Sequence, residues 1–296
     1  MICPRCSSYQ IKKDGTNKTA QIFQCKSCQR HFSVPMENIQ LDSSLIEPGK
    51  VYEHKSDETI RVHGLTDMHL GANEFDLDKF REAIKMIYED DNALWFGNGD
   101  MLECIPPNYK ISQRGQYINP EEQHLAFMDL IAPIIDKCLF VRGGNHDYLR
   151  SVRLLDYDVS RIIAKEMGVP YYRLPGYSII TVGGKKWYLV SGHGKSGAKN
   201  GDLELDKLSS IYSQGDIFFL GHNHQLYAKP IDSIKVENDE ETLHRRWYIR
   251  GGSFLRYAEY ARYSLYTIVR TGWVTIELSK DSVKSVSYTH LTLPTN

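Results

Sequence analysis

Five short apolar runs in this chain lead, with glycine close by, into aspartate, asparagine or histidine. They are Thr59–Leu65 before Thr66-Asp67-Met68-His69, Ala93–Phe96 before Gly97-Asn98-Gly99-Asp100, and Cys138–Arg142 before Gly143-Gly144-Asn145-His146-Asp147. Trp187–Val190 before Ser191-Gly192-His193 and Ile217–Leu220 before Gly221-His222-Asn223-His224 complete the set. Short continuous apolar runs of this kind read as buried strands. Glycine lets the backbone turn sharply where a strand ends. Helical spacing falls between the runs. Leu77, Phe80, Ile84 and Ile87 mark a helix over Asp76–Asp91, Pro120 opens another to about Asp136, and further helices are expected over Asp156–Met167 and Asp202–Tyr212. The stretch from about Arg245 to Val286 is rich in Tyr, Ile, Val and Trp and reads as strands.

Strands alternating with helices predict an α/β sheet, and in open α/β sheets functional groups gather beyond the carboxyl ends of the strands. Asp67, His69, Asp100, Asn145, His146, His193, His222 and His224 are thereby delivered to one edge. Five of the 11 histidines lie at these strand ends, interleaved with carboxylates, which is hard to reconcile with satisfied core residues.

The N-terminal stretch has a different organisation. Cys3-Pro4-Arg5-Cys6 and Cys25-Lys26-Ser27-Cys28 stand eighteen residues apart. That spacing fits a four-cysteine structural zinc site, each pair forming one knuckle. A segment of residues 1–35 is too short to bury a core, and a metal would supply the missing free energy. Ile11 and Phe23 suggest a small hairpin between the pairs. Four incidental thiols are the alternative. This ribbon is basic: Arg5, Lys12, Lys13, Lys18, Lys26 and Arg30 face Asp14, with Tyr9, Phe23 and Phe32 interleaved. It is a candidate phosphate-backbone surface, or else a solvated or protein-docking face. Residues 36–58, polar and holding Pro48 and Gly49, read as a linker.

With 296 residues, 41% of them hydrophobic and 25% charged, the chain can hold one large soluble domain plus a small one. A net charge of −1 does not mark the whole molecule as a polyanion binder. No run is as long and apolar as a membrane span, and no signal peptide precedes the first cysteine, so a reducing, cytoplasmic setting is expected. The last stretch, residues 286–296, breaks the strand pattern. It resembles the translation of a transposon-based sequencing adapter, and it is left out of the expected fold, so His290 is no ligand and the natural C-terminus is expected to be missing.

Taken in order, Asp67-Met68-His69, Gly99-Asp100, Gly144-Asn145-His146-Asp147, Gly192-His193 and Gly221-His222-Asn223-His224 resemble the motif set of the calcineurin-like metallophosphoesterase superfamily, over about residues 59–285. The N-terminal unit resembles zinc ribbons of transposase-related and phage proteins, down to Cys28-Gln29-Arg30-His31-Phe32. The first resemblance implies a four-layer α/β/β/α sandwich and a dinuclear metal centre. One ion would be held by Asp67, His69, Asp100 and His224, the other by Asp100, Asn145, His193 and His222, with Asp100 bridging. Such oxygen and imidazole donors suit Mn²⁺ first, with Fe or Zn²⁺ as alternatives. Two ions about 3.5–4 Å apart can acidify a shared water and clamp a phosphoryl group. His146 would stay off the metals and protonate the leaving oxygen, steadied by Glu103. Lys110, Arg114 and Arg256 are candidate substrate contacts, with Tyr257, Tyr260 and Arg262 beside the last. The basic ribbon tilts the expected substrate to a phosphodiester of DNA or RNA, a nuclease. The alternatives are a phosphomonoesterase acting on phosphoprotein or a small ester, and an inactive nucleic-acid-binding protein.

Overall fold

The computed structural model describes residues 3–6, 8, 10–16, 20–35, 52–107, 113–195, 201–237, 239–256 and 270–289. The chain divides into two compact units, Met1–Pro48 and Gly49–Asn296.

In the first unit, β1 (Ile11–Thr16), β2 (Ala20–Cys25) and β3 (His31–Pro35) form an antiparallel three-stranded sheet, one strand more than a hairpin. Phe23 stacks on Phe32 at 5.8 Å, and among the described residues of this unit only Ala20 and Phe23 are buried apolar residues besides Cys3 and Cys25. The knuckles supply the rest. Cys3 Sγ lies 3.6 Å from Cys28 Sγ, and Cys6 Sγ lies 3.6 Å from Cys25 Sγ. A disulfide would need about 2.05 Å. A tetrahedral zinc with Zn–S of about 2.3 Å sets its sulfurs about 3.8 Å apart. All four sulfurs fall within 4.8 Å of one another, so the cluster fits zinc. Backbone N–H groups of Cys28 and Ser27 hold the Cys25 thiol down to about 6, ready to ligate as thiolate.

The second unit is built on two six-stranded mixed sheets. The first runs β15 (Val283–Thr289), β14 (Gly272–Leu278), β5 (Ile60–Leu65), β6 (Ala93–Asn98), β7 (Cys138–Arg142), β8 (Tyr171–Tyr172). The second runs β12 (Leu226–Glu237), β13 (Glu240–Gly251), β11 (Ile217–Leu220), β10 (Lys185–Gly192), β9 (Gly176–Val182), β4 (Tyr52–Ser56). Val62, Phe96, Phe140, Ile180, Phe219, Ile249 and Ile276 fill the space between them. Sequential strands β5, β6 and β7 run parallel, as do β10, β11 and β13, so their carboxyl ends share an edge. Helices cover both outer faces. α1 (Leu77–Glu89), α2 (Pro120–Ile131) and α4 (Val159–Met167) put Phe80, Ile87, Phe127 and Ile163 on the first sheet. α5 (Asp202–Ile211) puts Leu205 and Leu208 on Val190 and Phe218 of the second. This is the four-layer α/β/β/α sandwich. Among the described residues no helix is long and apolar enough to cross a membrane.

Three expectations need correction. Residues 52–56, expected in the linker, form edge strand β4, parallel to β9; the rest of that stretch up to 51 lies outside the described residues. The expected boundary at 285 falls inside β15, which is held to β14 by main-chain pairing that any proline-free extended segment can make. Residues 290–296 lie outside the described residues. The helix expected over Asp156–Met167 is shorter. A π-helical turn Asn145–Arg150 runs into α3 (Ser151–Leu155), Asp156 adopts φ 53°, and α4 starts afresh, capped by Asp158, whose carboxylate accepts from Arg161 N–H at 3.0 Å.

Candidate metal centre

The loops leaving β5, β6, β7, β10 and β11 curl back over the shared edge at once. Asp67, His69, Asp100, His222 and His224 have φ of 49°, 51°, 52°, 71° and 57°, in the left-handed region that costs L-residues energy. The surrounding bonds hold them there. Glycine makes room: a Cβ on Gly144 would lie 2.1 Å from Asp100 Oδ1, and one on Gly221 2.1 Å from Thr66 Oγ1 and 2.5 Å from Asp67 Oδ2. Asp147 ties two loops together, its carboxylate accepting from Gly144 N–H at 3.0 Å and Met101 N–H at 2.8 Å.

Both aspartates are anchored by main-chain N–H groups. Asp67 Oδ2 accepts from Thr66 Oγ1 at 2.7 Å, and His222 N–H is shared between Oδ2 at 2.9 Å and Oδ1 at 3.1 Å, with Oδ1 turned to the imidazoles. Asp67 Oδ1 stands 3.3 Å from His224 Nε2, 3.9 Å from His69 Nε2 and 4.0 Å from His193 Nε2. Asp100 Oδ1 accepts from His146 N–H at 2.7 Å. Its Oδ2 stands 3.0 Å from His193 Nε2 and 3.9 Å from His69 Nε2. Asn145 Oδ1 sits 3.0 Å from His193 Nε2 and 2.7 Å from His222 Nδ1. Ligand-type atoms thus converge in two groups, Asp67–His69–His224 and Asp100–His193–His222, with Asp100 also grouped with His69 and His146.

Outer contacts fix the rings as metal-binding imidazoles are usually fixed, the far nitrogen bound to a carboxylate or carbonyl. His69 Nδ1 lies 2.9 Å from Glu103 Oε2, and His193 Nδ1 lies 2.9 Å from Asn98 O. His69 Nε2 is buried and has no hydrogen-bond partner. A buried orphan nitrogen is costly unless something binds it, and it faces two carboxylates. The donor set fits divalent cations.

The electrostatics agree. Burial would lower the pKa of His69 and His193, yet Asp67 and Glu103 beside the first, and Asp100 and Asp67 beside the second, hold both at about 10. Burial would raise Asp67 and Asp100, and the imidazoles hold both well below the usual carboxylate range. Without cations the carboxylates are balanced by protons on imidazoles, and cation binding must release those protons.

His146 lies at the rim. Its Nδ1 is 3.1 Å from Glu103 O and 3.3 Å from Glu103 Oε2, and its Nε2 is 4.0 Å from Asp100 Oδ2. Glu103 therefore steadies His69 as well as His146. Arg150, which sequence reasoning missed, is nearly buried. Its Nη1 donates to Glu103 O at 2.6 Å, and its Nη2 lies 3.1 Å from His146 Nε2. The widened π turn puts it beside His146, and nothing in the sequence marks such a turn. The proposed substrate contacts are not gathered here. Arg256 Nη2 is engaged with Asp76 at 3.3 Å, at the start of α1, and Arg114 sits exposed on the 3₁₀ turn Gln113–Gly115. Lys110, Tyr257, Tyr260 and Arg262 lie outside the described residues.

No family model and no curated protein matches the chain. Solved structures do. A conserved uncharacterized protein, a predicted phosphoesterase, from Streptococcus pneumoniae is 15% identical, with 79% of this chain and 100% of that chain covered and a TM-score of 0.36. Vps29 from Entamoeba histolytica, in complex with zinc, is 13% identical, with coverage of 78% and 99% and a TM-score of 0.40. Vacuolar Protein Sorting 29 from Cryptosporidium parvum is 14% identical, with coverage of 79% and 100% and a TM-score of 0.40. With its two sheets face to face between helices, and the aspartate, asparagine and histidine motifs in order along one edge, the second unit has the four-layer sandwich that the resemblance to calcineurin-like metallophosphoesterases implies.

Proposed function

We propose that the protein is a phosphodiesterase of DNA or RNA, a nuclease that works with two divalent ions, Mn²⁺ foremost. The observation that carries the reading is the two donor groups Asp67–His69–His224 and Asp100–His193–His222, linked by the further grouping of Asp100 with His69, and the buried His69 Nε2 left over between two carboxylates. Asp67, His69, Asp100 and His224 would hold one ion, and Asp100, Asn145, His193 and His222 the other. When bound, the ions supply water activation and charge neutralisation at phosphorus. His146 holds the proton for the departing oxygen. Glu103 engages its Nδ1 side; Nε2, which faces the donor Arg150 Nη2 at 3.1 Å, must exchange that contact for a proton before it can deliver one to the departing oxygen. Arg150 supports the same edge of the ring and keeps Glu103 in place.

Nucleic acid as substrate is supported by the ribbon, where Arg5, Lys12, Lys13, Lys26 and Arg30 are all exposed and the carboxylate of Asp14 is engaged by Lys12 and His31. Such a surface tracks phosphates regardless of sequence. The test compares bis-p-nitrophenyl phosphate with p-nitrophenyl phosphate in Mn²⁺, Fe²⁺ and Zn²⁺, then single- and double-stranded DNA and RNA. Diester preference and cleavage of nucleic acid are expected. Deleting residues 1–35 should weaken nucleic-acid binding and leave the small diester largely unaffected. Monoester preference with intact DNA and RNA would identify a phosphomonoesterase. Two bound ions with no hydrolysis of any ester would leave only the inactive binding protein.

A further inference from the structure

A cleft of about 570 Å³ in the second unit lies away from the metal cluster. It lies at the other end of the second sheet, and the shortness of β11 creates it. β11 pairs with β10 only over Leu189–Gly192 and with β13 only over Trp247–Arg250. Both neighbours run on beyond it, β10 back to Lys185 and β13 back to Glu240. One strand is missing between them, over a length of about 13 Å for four residues at strand rise.

Asp216 closes the inner end of this slot. Its N–H donates to Tyr188 O at 2.9 Å, and its C=O accepts from Trp247 N–H at 2.8 Å. Its carboxylate accepts from Tyr188 N–H at 2.9 Å and lies 3.1 Å from His244 Nε2. These bonds fix which way the main chain faces. Tyr188 and Trp247 turn their peptide groups towards the line of β11. Pro230, which has no N–H, stands opposite Trp247 on the other side. Because the direction alternates along a strand, Lys186 and Arg245 turn their N–H and C=O groups the same way, into the slot. Among the described residues no strand pairs with them there.

The two walls differ chemically. Trp187, Trp247 and Val283 are partly buried against the inter-sheet core and make an apolar inner wall. Lys186, Lys235 and His244 have the opposite parity and line the outer one. Two of the charged lining groups are already matched, Arg245 by Asp232 at 2.8 and 2.9 Å and Asp216 as described. Lys185, Lys186 and Lys235 then outnumber Asp281.

We propose that this slot receives an extended segment of a partner protein as an added strand between β10 and β13, with apolar side chains inward on Trp187 and Trp247 and carboxylates outward on Lys186 and Lys235. Strand addition draws affinity from main-chain bonds and specificity from alternate side chains. A nucleic-acid strand could meet the lysines but has no regular main-chain donors for the carbonyls of Lys186 and Arg245.

The test uses the full chain and a fluorescein-labelled peptide of alternating glutamate and valine. Its counterpart carries N-methyl groups on alternate peptide bonds, and labelled oligothymidine serves as the competing chemistry. Saturable anisotropy binding is expected, weakened at least about tenfold by N-methylation and by Lys186→Glu with Lys235→Glu. Hydrolysis of bis-p-nitrophenyl phosphate should not change in that double variant. In the wild-type protein, hydrogen exchange at the Lys186 and Arg245 amides should slow when peptide is added, which keeps the test independent of whether the variant folds. The proposal is overturned by no saturable binding at millimolar peptide, by equal binding of the N-methylated peptide, or by oligothymidine slowing the same amides in its place. Amides already protected in the free protein would mean that the chain itself or a second copy fills the slot, and would overturn it too.

Discussion

His63 lies on β5, the strand that carries Asp67 to the metal centre, and it is 2% exposed. Trp273 Nε1–H donates to its Nδ1 at 3.1 Å, and Thr275 Oγ1 lies 2.9 Å from the same atom. An indole nitrogen can only donate, so Nδ1 must be unprotonated and the ring neutral. Protonation would break the Trp273 bond and bury a charge. Burial, helped by Arg61 against the opposing pull of Asp90, pushes His63 down to about 4. In an unfolded chain it titrates near 6.5. Between these values the unfolded state binds the proton and the folded state does not. The contribution of neutral His63 is therefore complete above about pH 6.5, and it is lost as pH falls towards 4. From pH 7 to pH 5 the loss integrates to about 2 kcal/mol. His63→Asn keeps an acceptor near the position of Nδ1 and cannot titrate. Urea unfolding of both proteins should be followed by circular dichroism from pH 7.5 to 4.5, in chelator so that metal occupancy is equal. The wild-type curve should fall more steeply than the variant's by about 2 kcal/mol between pH 7 and 5. Parallel curves would show that His63 does not enter the fold neutral.

Four further outcomes are expected. Asp100→Asn should bind fewer Mn²⁺ than the two per chain, beyond the ribbon zinc, expected for wild type by elemental analysis; two ions held at wild-type affinity would remove the bridging role. Gly221→Ala should lower metal affinity, because its Cβ would lie 2.1 Å from Thr66 Oγ1 and 2.5 Å from Asp67 Oδ2; calorimetric titration indistinguishable from wild type would refute this. A peptide of residues 1–35 should gain circular dichroism on adding Zn²⁺ and lose it with chelator, and a fold indifferent to chelator would end the four-cysteine zinc reading. His146→Ala should lose roughly 10²- to 10⁴-fold in rate on an ester with a poor leaving group, much less on a nitrophenyl ester, with metal content unchanged; equal losses would assign His146 another task.

The strands that carry the candidate ligands were legible because burial on both faces makes them continuously apolar and each ends at a ligand. Strands at the margins follow other rules. β4, Tyr-Glu-His-Lys-Ser, is a polar edge strand and reads like a linker. β12 carries Pro230 and a row of charged residues, and its arm with β13 leaves Ile234 and Leu243 about 70% exposed, so no buried face imposes alternation. The helix after the Gly-Asn-His-Asp motif is shorter than its periodicity predicts, since the left-handed break at Asp156 has no glycine to announce it. At the site, spacing located the residues that lie on strand ends. It could not locate Arg150, whose place depends on a π turn, or the second contact of Glu103, which reaches His69 across a fold-back of the chain. Arg256, expected beside Gly251-Gly252-Ser253 as a groove residue, pairs with Asp76 at 3.3 Å while remaining exposed.

The left-handed backbone at Asp67, His69, Asp100, His222 and His224 bears on how such a centre could decay. A descendant with no need to hold ions would be under no pressure to keep aspartate or histidine there, yet its loops would still have to make the same turns. Asparagine and glycine adopt this conformation at least cost. Lineages that lose the ions while keeping the fold should therefore drift towards Asn and Gly at these five places rather than towards Ala or Ser. The outline of a vanished metal site would then persist as a pattern of residues chosen for backbone shape.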